Sequence, residues 1–154
     1  MHRILIFGNS GSGKTTLARA LAREHDLPRL DLDSITWKAA AVREDLAISM
    51  AALDRFMDAH DSWVIEGCYG DLIERAAARC TEMRFLNPGV EACQRNNRGR
   101  TWEPHKYESA EAQDRQLELL QAWVRQYESR EDEFSLARHR AIYDAFPGAK
   151  RMDT

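Results

Sequence analysis

The stretch Gly8-Asn9-Ser10-Gly11-Ser12-Gly13-Lys14-Thr15 constrains this chain more than any other. It follows the apolar run Ile4-Leu5-Ile6-Phe7 and precedes Thr16-Leu17-Ala18-Arg19-Ala20-Leu21-Ala22, which reads as helix. Strand, glycine-rich loop and helix in this order fit G-x-x-x-x-G-K-[ST], the Walker-A or P-loop pattern that holds a polyphosphate. Such a group needs several backbone N–H groups turned inward around one oxygen cluster. Residues without a Cβ and free to take φ > 0 let the chain wrap that closely. The following helix adds its unsatisfied N-terminal amides and positive dipole end to the same anion. The expected nucleotide-contacting set is Gly8, Ser10, Gly11, Ser12, Gly13, Lys14, Thr15 and Thr16. Lys14, expected at the loop surface, reaches the β- and γ-phosphates, and the Thr15 hydroxyl ligates Mg²⁺.

The 154 residues suit one domain, and a chain of about this length buries roughly 68–70% of its unfolded surface. A net charge of −3 and a pI near 6.0 provide no global attraction to nucleic acid or anionic lipid, so phosphate binding must be local. Cys68, Cys80 and Cys93 are odd in number and lack C-x-x-C pairing, which suggests neither a disulfide framework nor a zinc site. No apolar run reaches the roughly 18 residues of a membrane span, and no signal-type segment precedes the first strand. Reduced thiols in a cytoplasmic protein are expected.

After Leu27-Pro28, a short second strand covers Arg29-Leu30-Asp31-Leu32-Asp33. In a parallel α/β sheet its carboxylates face the ligand crevice; the alternative is that they are solvated loop acids or that Asp33-Ser34 caps a turn. Trp37-Lys38 and a small-residue run follow, then a helix from Arg43 to about Ala59 with Leu46, Met50, Leu53 and Phe56 or Met57 on one face. Trp37 suits either the core or the rim of a pocket. Ser62 to Gly67 is an apolar strand ending in Glu66, a Walker-B position from which an acid holds or orients a water of the Mg²⁺ shell.

A helix after Gly70 leads to a fourth strand, Glu82 to Leu86, stopped by Asn87-Pro88-Gly89. The segment from Val90 to Lys106 carries Arg95, Arg98 and Arg100. Guanidinium stays charged and pairs phosphate oxygens bidentately, so this arginine cluster suits a lid over the transferring phosphate, or else a basic helix end favoured by the dipole. A long helix is expected from Glu108 to Arg130 and another through Ile142 and Phe146. The closing Ala149-Lys150-Arg151-Met152-Asp153-Thr154 is too polar to read as a buried strand.

The order of these elements resembles the nucleoside-monophosphate kinase and shikimate kinase group of P-loop kinases. Within it, the chain is most similar to bacterial adenylate-kinase-related proteins, also labelled DNA topology modulation proteins. The resemblance is carried by Gly8 to Thr15, Leu27-Pro28 through Asp33 with Trp37-Lys38, Trp63 to Gly67 with Tyr69, and Phe85-Leu86. It implies an α/β P-loop NTPase domain of three layers, α/β/α, around a parallel sheet of order 2-3-1-4-5. ATP lies on the loop after the first strand. A short or missing fifth strand is expected, because the chain stops where that strand should lie.

The resemblance also implies that Asp33 faces the phosphoryl acceptor, with an acceptor-binding segment near 34–60 and a lid near 94–107. These features together suggest a single domain, 1–154, that transfers the γ-phosphoryl group of ATP, with Mg²⁺, to a small molecule. Lys14, Asp33 and one or more of Arg95, Arg98 and Arg100 are the candidate catalytic groups; Thr15 and Glu66 are the candidate metal residues. The acceptor segment offers Trp37, Lys38 and Arg43 but no arginine cluster, which favours a neutral or weakly charged hydroxyl compound over a nucleoside monophosphate. The alternative is a nucleotide-dependent regulatory or nucleic-acid-associated P-loop ATPase. Against direct duplex binding stands the lack of a basic stripe.

Overall fold

The computed structural model describes residues 1–39 and 42–154, so the small-residue run that continues through Ala40 and Ala41 lies outside the described residues. The elements in chain order are β1 (Arg3–Gly8), α1 (Lys14–His25), β2 (Arg29–Asp31), α2 (Asp33–Thr36), β3 (Trp37–Ala39), β4 (Val42–Arg43) and α3 (Leu46–Ala59). They continue with β5 (Trp63–Gly67), α4 (Gly70–Ala77), β6 (Glu82–Leu86), α5 (Val90–Arg98), α6 (Ala110–Arg125), α7 (Leu136–Ala145) and β7 (Ala149–Asp153). Five strands pair in the order β2-β5-β1-β6-β7, every pairing parallel. Numbered along the sheet strands alone, this is 2-3-1-4-5.

The central strand explains the layering. Side chains alternate between faces of a strand, so Leu5 and Phe7 enter one apolar cluster while Ile4 and Ile6 enter another. The first is closed by Leu53 and Met57 of α3, Leu72, Ile73 and Ala76 of α4, and Ile142 of α7. The second is closed by Ala18 and its neighbours on α1. Both faces of the sheet are therefore covered, as a parallel sheet requires.

Four expectations are corrected. The fifth strand is present: Ala149–Asp153 pairs with Glu82–Leu86 along its whole length. As an edge strand it needs only one laddered neighbour, so Lys150 and Arg151 remain exposed while Met152 packs on the core. The second strand stops at Asp31, and Asp33 opens a helical turn instead. The third helix starts at Leu46 rather than Arg43, because Val42 and Arg43 pair with β3 in a two-stranded hairpin. The long helix is shorter at both ends, 110 to 125, and starts where the Ser109 hydroxyl accepts the Ala112 amide at 3.0 Å.

His139 ties the last helix to the sheet. Fully buried, it lies edge-on to Phe7 and Phe85, with ring centroids at 5.7 and 6.1 Å. Its Nε2 is 2.8 Å from the Cys68 carbonyl oxygen, just past the end of β5, and its Nδ1 is 2.7 Å from the Tyr127 hydroxyl. A carbonyl only accepts, so Nε2 carries the proton and Nδ1 accepts from Tyr127. Burial drives the ring's pKa down to about 4, against the opposing pull of the Cys68 carbonyl.

The folded state therefore resists protonation that the unfolded chain accepts near 6.5. His139 costs stability as pH falls from about 6.5 to about 4, at most roughly 3 kcal/mol. Glu66, whose pKa is raised to about 7, works in the opposite direction between about 4.5 and 7, so the two trends partly cancel in the parent protein. Denaturant unfolding of the parent and of His139→Gln at pH 7 and pH 5 is expected to show a smaller stability gap between the two proteins at pH 5. A gap independent of pH would contradict a buried neutral imidazole.

Candidate active site

The loop after β1 is shaped by two glycines in particular. Gly11 has φ 84°, and a Cβ there would lie 2.3 Å from the Cys93 carbonyl oxygen of α5. Gly13 has φ 100° with nothing nearer than 4.0 Å to such a Cβ, so its need is conformational. It stands immediately before α1, which starts at Lys14 with no side-chain cap and no acid in its first turn. Helical geometry leaves those first amides without internal acceptors.

The loop is braced from below. Asn9 places its side-chain oxygen 2.9 Å from the Ser10 amide and donates its side-chain nitrogen to the Val124 carbonyl at 3.2 Å. From α5, Asn96 and Asn97 donate to the carbonyls of Gly11 and Ser10 at 2.7 and 3.3 Å. The Ser10 amide is thus held by Asn9, and the Ser12 amide donates to the Asn9 carbonyl at 3.2 Å, so the amides the loop offers a ligand are those of Gly11, Gly13 and the start of α1. Ser12 Oγ is buried with no partner. A buried hydroxyl without a partner costs free energy, and a phosphate oxygen would satisfy it. The cradle therefore fits a polyphosphate. Thr16 is exposed on the first turn of α1 and Ser10 is half-buried.

Lys14 departs from the expected surface position. It is 9% exposed, and its amine curls back to donate to the Asn9 carbonyl at 2.7 Å. Beside it, the Thr15 hydroxyl donates to Glu66 Oε1 at 3.0 Å. Glu66, 2% exposed, also has Arg29 at 3.6 Å. Burial, and then the charge of Asp31, push its carboxyl up to about 7, with Lys14 pulling the other way. Thr15 and Glu66 thus meet across the strand top, one hydroxyl and one carboxylate, a hard-oxygen pair that fits a Mg²⁺ bound chiefly through phosphate and water.

Strand register places the remaining acid. Ile6 of β1 and Asp31 of β2 both pair with Glu66, so Asp33 opens α2 at the same carboxyl edge of the sheet. One of its oxygens accepts the Tyr69 hydroxyl, and the other lies 2.6 Å from Lys106 Nζ. Tyr69 is held in turn by the Trp37 indole N–H at 2.9 Å. Burial raises the Asp33 carboxyl, but the Lys106 charge and the hydrogen bonds from Lys106 and Tyr69 outweigh it and hold the group below the ordinary value. Half-buried Asp31 is pushed up instead, by desolvation and then by the charge of Asp33.

Arg95, Arg98 and Arg100 are all exposed. Among the described residues none forms a hydrogen bond or ion pair with the loop or with Asp33; Arg100 pairs with Glu103 at 3.5 Å. The side chains of this region that do reach the site are Asn96, Asn97 and Lys106. No spacing in the sequence distinguished them, because an asparagine or lysine in a polar segment reads as solvated surface. Tyr69, next to the Glu66-Gly67 strand end, had a local signal as the first large side chain past that tip.

The chain matches the AAA domain family model over residues 4–146. It belongs to that family. Solved structures share the fold, which is the three-layer P-loop NTPase arrangement. A shikimate kinase from Bacteroides thetaiotaomicron is 18% identical, with a TM-score of 0.56 over 96% of this chain and 84% of that one. A sugar kinase from a Janibacter species is 18% identical, TM-score 0.53, over 97% and 82% of the respective chains. A gluconokinase from Sinorhizobium meliloti is 18% identical, TM-score 0.52, over 98% and 82%. No curated protein matches the sequence. Among the described residues of this family member, no helix is long and apolar enough to cross a membrane.

The arrangement carries a direct expectation for the metal. Among the described residues no cluster of three His, Cys, Asp or Glu side chains is placed to hold an ion, and Mg²⁺ is usually held by one or two carboxylates plus substrate phosphates. Calorimetric titration with Mg²⁺ is expected to give weak binding to the free protein and strong binding once nucleotide is present. Glu66→Gln should lose most of the nucleotide-dependent part. Tight binding without nucleotide would remove Thr15 and Glu66 from the metal sphere.

Proposed function

We propose that this protein is an ATP-dependent kinase that transfers the γ-phosphoryl group to the hydroxyl of a small molecule. The observation that carries the reading is the strand register, which lines up the phosphate loop, Glu66 and Asp33 along one edge of the sheet. A phosphate cradle and a separately held, ionised carboxylate on one edge supply what phosphoryl transfer to a hydroxyl needs: positioning, charge neutralisation and a proton acceptor. The names of similarly folded proteins, a shikimate kinase, a sugar kinase and a gluconokinase, support the same class. The finer assignment is to the adenylate-kinase-related group, on the motifs quoted above. Free Cys68, Cys80 and Cys93 support a reducing, cytoplasmic setting.

In this reading the loop amides and Ser12 receive the phosphates, and Lys14 exchanges the Asn9 carbonyl for phosphate oxygens. Thr15 and Glu66 would hold Mg²⁺, which when bound withdraws charge from those oxygens. Asp33 accepts the hydroxyl proton as the acceptor oxygen bonds to the γ-phosphorus and the bond to the bridging oxygen breaks, leaving ADP. Trp37 and Arg43, whose guanidinium lies 5.1 Å from the Tyr69 ring centroid, border the acceptor side. The test is a phosphate-transfer screen over shikimate-like polyols, sugars, aminoglycosides and nucleoside monophosphates, with an ATP-only control. Transfer to a hydroxyl compound is expected. ADP release that no acceptor stimulates would favour an ATPase.

A further inference from the structure

The loop joining α5 to α6 is folded on itself rather than draped over the surface. The Lys106 and Tyr107 amides both donate to the Glu103 carbonyl at 3.0 Å, and the Trp102 indole donates to the Tyr107 carbonyl at 2.9 Å. Gln113 of α6 clamps the start of the turn, accepting the Glu103 amide at 2.8 Å and donating to the Thr101 carbonyl at 3.1 Å. This frame delivers one cation inward. Lys106 Nζ sits 2.6 Å from Asp33 Oδ2 and 3.4 Å from Glu103 Oε2, with its side chain 24% exposed. Immobilising a lysine costs rotamer entropy, which the contacts with Asp33 and Glu103 offset.

We propose that Lys106 is a positioning residue for the acceptor-side carboxylate, the one cation of this loop that acts at the reacting centre, where its contact with Oδ2 holds Asp33 aimed. This rests on the kinase reading above. Lys106 and Tyr69 approach Asp33 from different elements and occupy different oxygens. Two such contacts fix the plane of a carboxylate, which one contact leaves free to rotate. The charged groups that face Asp33 are Lys106 on the α5–α6 loop, Asp31 at the end of β2 and Lys14 on α1, with Glu66 on β5 nearby and the Tyr69 hydroxyl before α4. Without Lys106, burial raises the Asp33 carboxyl, opposed by Tyr69 and Lys14.

The experiment compares the parent protein with Lys106→Met, Lys106→Gln and Lys106→Arg. For Lys106→Met the expected result is a fall of roughly tenfold to a hundredfold in kcat/KM for the acceptor, within the range of a misplaced general base, with the KM for ATP within about threefold. The acid limb of its pH–rate profile should move to higher pH. Lys106→Arg should restore part of the rate and return the limb toward the parent position. Should Lys106→Met fold poorly, Lys106→Gln keeps a polar side chain of similar reach and carries the same expectations.

A second measurement needs no turnover: carbon-detected NMR titration of the Asp33 carboxyl in the nucleotide-free protein, whose midpoint should rise when Lys106 loses its charge. An unmoved midpoint overturns the proposal, as does equal loss in the Met and Arg variants in proportion to lost thermal stability. A raised midpoint in a protein that phosphorylates nothing would retain the Lys106–Asp33 coupling and remove the kinase reading.

Discussion

Lys14→Ala is expected to remove nearly all ATP-dependent phosphoryl transfer, by on the order of 10²–10³ or more in rate, while the protein still folds. The rate argument is electrostatic: a preorganised cation aimed at developing charge in a shielded site is worth about that much. Lys14 is well placed for it, because its amine rests on a loop carbonyl rather than on a carboxylate and so is released without breaking an ion pair. The fold should survive because the Asn9 carbonyl keeps a second donor, the Ser12 amide at 3.2 Å. Steady-state kinetics and a thermal melt check the two halves. A variant that retains full activity would rule out the phosphate-loop reading.

Asp33→Asn should cost between about 10² and 10⁴ in kcat, the range for loss of a general base, with ATP affinity changed by no more than a few-fold. The amide keeps the shape of the side chain but cannot take a proton from the acceptor. It also leaves Lys106 without its closest partner, which weakens the hold on the α5–α6 loop and should lower the melting temperature slightly. Isothermal titration with a nonhydrolysable ATP analogue separates the possibilities. If nucleotide affinity falls as far as kcat, Asp33 belongs to the metal sphere rather than the acceptor side. Rapid phosphorylation of a nucleoside monophosphate would overturn the inference of an uncharged hydroxyl acceptor and leave the kinase class standing.

The acceptor side also shows why one cation was legible and another was not. The arginine run of α5 stands out in the sequence because guanidinium is the usual partner of phosphate, yet Arg95 and Arg98 point to solvent. The same helix turns its amides inward instead, and Asn96 and Asn97 brace the loop carbonyls. Helical rotation decides this. Two residues per turn on the inward side are selected by how α5 packs against the loop and α6, and a charge pattern alone does not reveal which two.

What the sequence determined by itself is whatever depends on neighbours along the chain. Glycines at 8, 11 and 13 followed by Lys14-Thr15 dictated a phosphate loop, since φ > 0 and close backbone approach are local demands. Short apolar runs, Ile4–Phe7 and Trp63–Ile65, marked β1 and β5, because buried parallel strands need side chains apolar on both faces. The tertiary structure decided everything that pairs distant segments. The strand Ala149–Asp153 carries charges outward and gains its stability from a backbone ladder with β6, a contribution no side-chain pattern records. His139 reads as an ordinary polar residue on a helix until the sheet places a carbonyl on one side of its ring and a hydroxyl on the other. Asp33 and Lys106 become partners only when a folded loop delivers the amine. Their interaction energy falls off with distance in space and is indifferent to distance in sequence.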